Sequence, residues 1–506
     1  MKSKLLITIS IFLNITSLTA QIQIGSDIDG LATRDECGRE LSISNNGNIL
    51  AVSSYFNDAN GSDAGMVRIF NRVGNSWVQR GVSLLGDSID DTFGFAVDLS
   101  ASGNVVAVGI PYSARYYAPG TFRSAGEVKI YEWNGSTWSL KGIPLVGVAT
   151  QTMFGRKLCL SNSGNRIAVS SDTYFGSSAT KNEVRVYDWN GISWVQVGNV
   201  LQEEAVGDRF GSALSFSDSD SILAIGASAN KGTTAFTSVG HCRVFTLNGS
   251  TWTQLGADID GEVFGNSTGS GGSVALNDSG NVVVIGASGN DGNGANSGHV
   301  RVYYWNGSTW AQRGSDIDGE AAGDRSGGEV SVNAQGNIIA IGAQSNGGTG
   351  TDAGHVRIYR WNGVSWLQEG TDIDGEGASD ESGIAVALDS LGVTVAIGGP
   401  GNSNPNGFSG HARVYDLGNL VGVSEIQKES IITSISPNPF DREFIVSFKQ
   451  PTKTNVVVRN ISGAIVYSNS IESKTQLWVK LEVESGIYFV EIGEGKGKEI
   501  HKIIRL

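Results

Sequence analysis

The sequence is poor in the residues that hold small secreted scaffolds or extended fibres together. Its 506 residues include only 3 cysteines and 8 prolines, and 17% of the side chains are charged. So little proline excludes a collagen, and so little charge excludes a coiled coil or a charged disordered chain. Cys37, Cys159 and Cys242 are odd in number and far apart. They predict buried, inert thiols rather than a disulfide framework or a structural zinc site.

Long hydrophobic runs are missing beyond the N-terminus. There, Lys2 and Lys4 precede an apolar run from Leu5 to Leu18, which is followed by Thr19-Ala20. A charged, then apolar, then small-residue order is typical of a secretory signal peptide, here cleaved after Ala20. The alternative is a membrane anchor, but a span needs about 20 apolar residues and this run is shorter. We therefore predict export and no membrane span.

The charge balance disfavours nucleic acid as a partner. The chain carries 36 basic and 50 acidic side chains, for a net charge of −14. Such an acidic surface repels phosphate backbones.

The sequence is rich in glycine, with 70 residues, and it repeats itself. A Ser/Thr-Trp pair recurs about every 57 residues. The tryptophans of these pairs are Trp77, Trp138, Trp194, Trp252, Trp310 and Trp366. A seventh copy starts at Thr371 and ends near Tyr415 without a Trp segment.

Copy six shows the repeating unit most clearly. It contains four short segments rich in Val and Ile and bounded by Gly, Asn or Ser, namely Glu329–Val332, Asn337–Ala343, His355–Tyr359 and Ser365–Gln368. This pattern is typical of strands joined by tight turns. Four antiparallel strands in each of seven copies predict an all-β, seven-bladed β-propeller of four-stranded blades, whose closed ring leaves only short edges. An open β-solenoid is the alternative.

The N-terminus supplies what copy seven lacks. Residues 21–30 read QIQIGSDIDG, similar to AQRGSDIDG at 311–319, where one copy ends and the next begins. We predict that this segment forms the outermost strand of the seventh blade and closes the ring.

Two recurring motifs resemble those of a known repeat family. Asp-x-Phe-Gly occurs at Asp91–Gly94 and Asp208–Gly211, and Gly-Ala or Gly-x-Pro follows at Gly226-Ala227, Gly109–Pro111 and Gly398–Pro400. Over residues 22–418 the chain thereby resembles the FG-GAP repeats of integrin α-subunit propellers and bacterial surface proteins. The resemblance implies binding of proteins or glycans through loops on one face, and calcium in an Asp-rich loop between the first two strands of a blade.

The sequence departs from the family in that loop. The turns Ser161–Asn165 and Asn277–Asn281 lack a run of carboxylates, and calcium takes six to eight oxygen ligands. The alternative calcium site is the Asp-Ile-Asp-Gly-Glu loop, where alternating carboxylates either chelate the cation or only solvate the loop. The candidate ligands are Asp258, Asp260 and Glu262, Asp316, Asp318 and Glu320, and Asp372, Asp374 and Glu376.

Two other recurring features are interpreted as structural. His241, His299, His355 and His411 precede the third strand of copies four to seven and are expected to satisfy local hydrogen bonds. The Trp pairs Trp133/Trp138, Trp189/Trp194, Trp305/Trp310 and Trp361/Trp366 flank four-residue turns, so the rings can face each other. Packing explains their recurrence better than stacking on sugars. The long loops between the second and third strands are predicted to share a face with the Asp-rich loops.

The repeats stop after Leu420. A polar linker at 421–431 leads to Ser436-Pro437-Asn438-Pro439-Phe440, several apolar segments, Gly486-Ile487-Tyr488 and the basic end Lys502–Leu506. The apolar segments predict a small antiparallel β-sandwich. The quoted motifs resemble the C-terminal sorting domain of the type IX secretion system of Bacteroidetes, which implies recognition by the outer-membrane translocon. An ordinary accessory binding domain is the alternative.

The predicted organisation is a signal peptide at 1–20, a propeller at 21–420, a linker at 421–431 and a sorting domain at 432–506. The predicted function is a secreted or surface-attached binding or adhesion module for an extracellular glycan or protein. The alternatives are a polysaccharide-active enzyme on a propeller scaffold and a structural surface-layer protein. Because the sequence shows no catalytic constellation, we expect no enzyme activity.

Overall fold

The computed structural model describes residues 21–113, 125–148, 152–172, 181–231, 238–262, 271–403, 407–418, 432–436, 440–460, 464–481, 483–492 and 499–505. The predicted signal peptide and linker lie outside these residues. The chain divides into two compact units, Met1–Leu420 and Val421–Leu506. Within the described ranges every regular element is a β-strand, which confirms the all-β prediction.

The described part of the first unit forms seven antiparallel sheets, one for each sequence copy. Each contains four strands in order plus a fifth strand of two residues that pairs with the third strand. The strands of sheets 1 to 4 are Leu41–Ile43, Ile49–Ser54, Met66–Val73, Ser76–Gln79 and Leu84–Leu85; Ala96–Leu99, Val105–Ile110, Glu127–Trp133, Trp138–Leu140 and Leu145–Val146; Leu158–Leu160, Arg166–Ser171, Glu183–Trp189, Trp194–Gln196 and Leu201–Gln202; and Phe210–Phe216, Ile222–Ala227, His241–Asn248, Thr251–Gln254 and Ile259–Asp260. Those of sheets 5 to 7 are Ser273–Leu276, Val282–Ala287, His299–Trp305, Trp310–Gln312 and Ile317–Asp318; Glu329–Val332, Ile338–Ala343, His355–Trp361, Trp366–Gln368 and Ile373–Asp374; and Ala385–Leu388, Thr394–Gly399, His411–Asp416, Ile22–Gln23 and Ile28–Asp29.

The turn between the first and second strands shows why the copies fold as they do. In sheet 6 the turn contains Gly336 at a φ of 69°, a region that favours glycine. The side-chain oxygen of Asn333 accepts hydrogen bonds from the backbone N–H groups of Asn337 and Ile338, at 3.0 and 2.9 Å. The Ile and Ala residues that follow are buried on both faces of the second strand. Local turn chemistry and burial therefore favour the same hairpin.

The sheets follow one another around a ring. The first strands of consecutive sheets contact each other, and the first strand of sheet 7 contacts that of sheet 1. First strands of all seven sheets line a common axial cavity, to which they contribute Leu41, Val97, Leu158, Leu214, Val274, Val330 and Val386. Chain segments distant in sequence therefore meet at the axis.

The N-terminal segment completes sheet 7, as predicted. Ile22 and Gln23 pair with Asp416 and Tyr415 of its third strand. The next residue, Ile24, is 1% exposed, and its N–H donates to the carbonyl of Val414 at 2.7 Å. The two ends of the ring are thus joined by main-chain hydrogen bonds.

Tryptophans connect neighbouring sheets, which supports the packing interpretation. In each of the four Trp pairs the ring centroids lie 5.3 to 5.5 Å apart. The second Trp of each pair also donates its indole N–H to a carbonyl of the preceding sheet's chain, as Trp366 does to Arg313 at 2.8 Å. These indoles satisfy their polar group while burying a large apolar surface.

Glycines allow a second kind of contact between sheets. Gly342, near the end of the second strand of sheet 6, lies against the backbone of Gly383, which precedes sheet 7. A Cβ atom on Gly342 would overlap the Gly383 carbonyl oxygen, and Gly109, Gly226, Gly286 and Gly398 are similarly placed against a glycine of the next copy. At these five junctions, two glycines of neighbouring copies are therefore the two sides of one close contact. The glycines of the two Asp-x-Phe-Gly motifs, Gly94 and Gly211, lie against Ser53 and Ser170 instead.

The cysteines are free and buried, as expected. Burial raises the pKa of all three thiols, that of Cys242 to about 12, which makes them poor nucleophiles.

The described residues of the second unit form five strands, Ile432–Ser436, Glu443–Asn460, Ile465–Lys480, Gly486–Ile492 and Glu499–Arg505. The sequence predicts separate strands at 444–448 and 454–458, but the structure joins them into one long strand that pairs with Ile465–Lys480. Phe440 and Phe444 are fully buried in its core. The N–H of Phe440 donates to the carbonyl of Ile504 at 2.9 Å, so both ends of this unit are held together.

Candidate functional site

Two places in the ring bring charged side chains from different sheets together. One is the junction between neighbouring sheets, where most of the sequence-predicted metal ligands lie. The other is the axial cavity, which the sequence did not single out.

At the junctions, the structure separates the carboxylates of each Asp-Ile-Asp-Gly-Glu motif. The motif is not only a loop, because its Ile-Asp pair forms the fifth strand of a sheet. The first Asp faces the histidine of the same sheet, with Nδ1–Oδ2 distances of 3.6 Å for His241–Asp258, 3.7 Å for His299–Asp316 and 3.4 Å for His355–Asp372. The Glu approaches the histidine of the next sheet, which groups Glu262 with His299, Glu320 with His355 and Glu376 with His411. The middle residues Asp260, Asp318 and Asp374 are exposed and belong to none of these groups.

The four histidines are 1 to 2% exposed. Burial lowers the pKa of His241, His299 and His355, to about 4 for His299, so these imidazoles are neutral at pH 7. The expectation of local hydrogen bonds is wrong for His355 and His411, because neither ring nitrogen of either residue has a hydrogen-bond partner.

The predicted common face of the loops is confirmed where the loops are described. The Asn293 side chain, between the second and third strands of sheet 5, donates to the carbonyls of Gly319 and Glu320 in the Asp-rich segment, both at 2.9 Å. Thr349 makes the same kind of contact with Gly375 at 2.6 Å.

A section of the axial cavity, of about 300 Å³, lies where second strands of the sheets end, and it shares Glu40, Lys157 and Glu329 with the rest of the cavity. Its walls include Arg39, Arg156 and Arg209 together with the aromatic side chains of Tyr55 and Phe95. Tyr55 and Phe95 lie 5.3 Å apart between ring centroids, and the Arg156 guanidinium lies 5.7 Å from the Phe95 centroid. The cavity thus combines aromatic surface with forked hydrogen-bond donors.

Three charged side chains from distant copies meet in the cavity. Lys157 lies 2.8 Å from the carboxylate of Glu40, which raises the pKa of Lys157. Glu329 lines the same cavity, and burial raises its pKa to about 7. One carboxylate is therefore held next to a cation, while the other is partly protonated near neutral pH.

These three charged residues can be recognised in the sequence when the seven copies are compared. Glu40, Lys157 and Glu329 stand two residues after the glycine that precedes the first strand. The other copies have Ala96, Ala213, Ser273 and Ala385 there. Three charges at a position otherwise filled by small residues depart from the repeat, and this difference between the copies is visible in the sequence.

The raised pKa of Glu329 predicts a pH-dependent stability. Below the pKa of about 4.5 that it has when unfolded, Glu329 is protonated in both states. As the pH rises to about 7, the unfolded state ionises first, so up to about 3 kcal/mol of stability is lost. The variant Glu329→Gln cannot ionise. It should therefore gain stability relative to the natural chain between pH 5 and pH 8, measured by urea unfolding.

Glu484→Gln, at an exposed position of the second unit, is the control. Its free energy of unfolding should equal that of the natural chain at pH 5 and at pH 8. An equal effect of Glu329→Gln at pH 5 and pH 8 would show that Glu329 is already ionised in the folded chain at pH 5.

Comparisons with known proteins identify the C-terminal unit. Residues 434–505 match the secretion system C-terminal sorting domain family. This is the type IX sorting domain, which marks proteins that are secreted and attached at the cell surface. The chain is therefore a secreted or surface-attached protein whose tail interacts with the secretion system. The described residues contain no helix long and apolar enough to cross a membrane.

Solved structures that match the chain do so with low TM-scores and low sequence identities. A protein described as a 6-phosphogluconolactonase from Bacteroides uniformis has a TM-score of 0.48 and 9% identity, covering 85% of this chain and 99% of its own. The Dos1 propeller scores 0.42 with 11% identity, covering 79% and 95%. A prolyl endopeptidase scores 0.41 with 14% identity, covering 71% and 45%. Values this low transfer no activity, and curated protein sequences gave no significant match.

Proposed function

We propose that this protein is a glycan-binding module of the cell surface, built as a seven-bladed FG-GAP-like propeller with its binding site in the axial cavity. In this proposal residues 1–20 are the signal peptide, 21–420 the propeller, 421–431 the linker and 432–506 the sorting domain. The binding role is not enzymatic. The observation that carries the proposal is the cavity of about 300 Å³ with its arginine and aromatic walls.

The ring geometry supports the propeller. Seven sheets in order around a common axis, closed by an N-terminal strand, are what a seven-bladed propeller requires. The FG-GAP-like motif has a physical role at the junctions between neighbouring sheets. Its Asp caps the loop after the fifth strand, as Asp380 does by accepting a hydrogen bond from the N–H of Gly377 at 2.8 Å. Its glycine permits the close contact with the preceding sheet.

The cavity suits a sugar better than a protein surface. Its volume matches one or two sugar rings, and ligand pockets of this kind combine apolar walls with a few placed polar groups. Aromatic faces pack on the C–H face of a sugar, while guanidinium groups donate to its hydroxyl or carboxylate oxygens. Loops on one face of a rigid scaffold are also where binding residues are usually found.

The test compares two arginines at the same position of the repeat. Arg209 lines the cavity and Arg325 does not, while their φ angles are 56° and 55°. Asparagine tolerates this backbone conformation, so Arg209→Asn and Arg325→Asn are matched variants. On a panel of extracellular polysaccharides, the natural chain should bind one class saturably. Arg209→Asn should weaken that binding about tenfold, whereas Arg325→Asn should bind like the natural chain.

Other outcomes identify other functions. Equal binding by both variants would place the glycan outside the cavity, and no glycan binding would favour a protein ligand or a structural surface role. Release of products from the bound glycan, lost in Glu329→Gln, would instead favour an enzyme. The specific observation for that second candidate is that Glu329, which is partly protonated near pH 7, lines the same cavity as Glu40, which is paired with Lys157. Glycoside hydrolysis uses two carboxyl groups in different protonation states.

A further inference from the structure

The same three-residue group recurs at four junctions between neighbouring sheets. Each group takes its histidine from the start of a third strand, its Asp from just before the fifth strand of the same sheet and its Glu from just after the fifth strand of the preceding sheet. The two clearest groups are Glu320, His355 and Asp372, and Glu376, His411 and Asp27. The last Asp comes from the N-terminal segment, so this group exists only in the closed ring.

Within a group the histidine nitrogen faces both carboxylates without meeting the geometry of a hydrogen bond, and its distance to the aspartate oxygen matches that between two ligands of one metal ion. Nδ1 of His355 lies 3.4 Å from Asp372 Oδ2 and 4.0 Å from Glu320 Oε2. Nδ1 of His411 lies 3.4 Å from Asp27 Oδ2 and 3.8 Å from Glu376 Oε2. Nitrogen and oxygen ligands about 2.0 to 2.1 Å from a tetrahedral zinc ion are about 3.3 to 3.4 Å apart.

The histidines point to a missing ligand. His355 and His411 are each 1% exposed, and Nδ1 of both, facing two carboxylates, has no hydrogen-bond partner. A buried polar atom without a partner is costly, and a bound ion is one of the few features that explain such an atom.

A second set of residues orients both carboxylates. Gln368 donates to Oδ1 of Asp372, and Gln23 donates to Oδ1 of Asp27, both at 2.6 Å. In each case the other oxygen, Oδ2, faces the histidine. The two oxygens of Glu320 also have different partners. Oε1 lies 3.8 Å from Arg357 Nη1, while Oε2 faces His355. Such outer partners of metal ligands fix the direction of the coordinating atoms.

The structure assigns these groups as surface binding sites for a divalent transition metal of the zinc class, held by one imidazole nitrogen and two carboxylate oxygens. Calcium prefers six to eight oxygen ligands and does not suit an imidazole donor. Three protein ligands leave a fourth position open for water or for a donor from an extracellular ligand. The side chain of Glu320 is 47% exposed, so solvent reaches the site.

The test uses two aspartates of one motif. Asp372 faces His355, whereas Asp374 is exposed and outside the group. The mature full-length chain, freed of metal with a chelator, is titrated with Zn²⁺ by calorimetry and with Co²⁺ by visible absorption. We expect more than one bound equivalent of Zn²⁺, d–d bands of tetrahedral Co²⁺, and a higher melting temperature with Zn²⁺. Asp372→Asn should lose one equivalent, and Asp374→Asn should lose none.

Two controls separate the outcomes. Melting in chelator shows whether each variant is folded. His501→Ala removes the one histidine outside the ring units and should keep all Zn²⁺ binding. The inference is overturned if Zn²⁺ does not bind, if Ca²⁺ binds in its place, if Asp374→Asn loses as much as Asp372→Asn, or if binding disappears in His501→Ala.

Discussion

Gly342→Ala should destabilise the ring by about 2 to 4 kcal/mol, because the new methyl group has no room. Gly342 does not have a positive φ, so alanine fits its backbone conformation. The added Cβ, however, would overlap the carbonyl oxygen of Gly383 and lie 3.2 Å from Val386 Cγ2. Relief requires that sheets 6 and 7 move apart, which weakens the packing of their buried faces. Urea unfolding of the mature chain would measure the loss.

The matched control is Gly347→Ala, at the loop that follows the same strand. Its nearest outside atom is the Gly350 carbonyl oxygen, 3.9 Å from the position of a new Cβ. Its φ is also not positive, so the change should be neutral or stabilise slightly through the lower entropy of the unfolded chain. If the two variants unfold alike, the close contact of Gly342 with Gly383 does not limit the distance between sheets.

Deleting residues 21–25 should lower the melting temperature by several degrees. The deletion removes the strand paired with His411–Asp416, exposes that strand's edge and leaves the ring open. It also removes Ile24, whose side chain is buried and whose carbonyl accepts the indole N–H of Trp77 at 3.1 Å. Burial of one isoleucine contributes about 2 kcal/mol and each hydrogen bond about 1 kcal/mol. The measurement compares chains that begin at Gln21 and at Ser26.

Two point variants distinguish ring closure from simple shortening. Ile24→Ala should cost about 2 to 4 kcal/mol, since it creates a cavity in the core. Ile22→Ala should cost little, because Ile22 is 64% exposed while its main-chain pairing remains. An unchanged melting temperature for the deletion would mean that the N-terminal strand does not hold the ring closed.

Much of the fold could be predicted because the structure of each copy depends mainly on residues that are close together in the sequence. Gly, Asn and Ser mark the turns, and Val and Ile mark the strands between them, so the four principal strands of copy six lie within two residues of their predicted bounds. The fifth strand was missed because it has only two residues, for example Ile373–Asp374. It pairs with the third strand, although the fourth strand lies between the two along the chain. So short a segment has no periodicity of its own.

In the C-terminal unit, too, the motifs could be predicted from the sequence and the strand pairing could not. Its type IX character was visible in motifs at its two ends, which the match of residues 434–505 bears out. The long strand Glu443–Asn460 was not visible, since its polar centre resembles a turn and only pairing with Ile465–Lys480 keeps it extended.

The sequence by itself determined the number of copies, the strand-rich unit, the N-terminal strand that completes the last sheet and the secreted destination. Each of these depends on local order along the chain or on a match between its ends. Only the tertiary structure decided which side chains meet. Glu40, Lys157 and Glu329 are far apart in sequence and share a cavity because the first strands of all sheets line one axis. Asp372 and Glu376 are four residues apart yet face different histidines, because the chain passes from one sheet to the next between them.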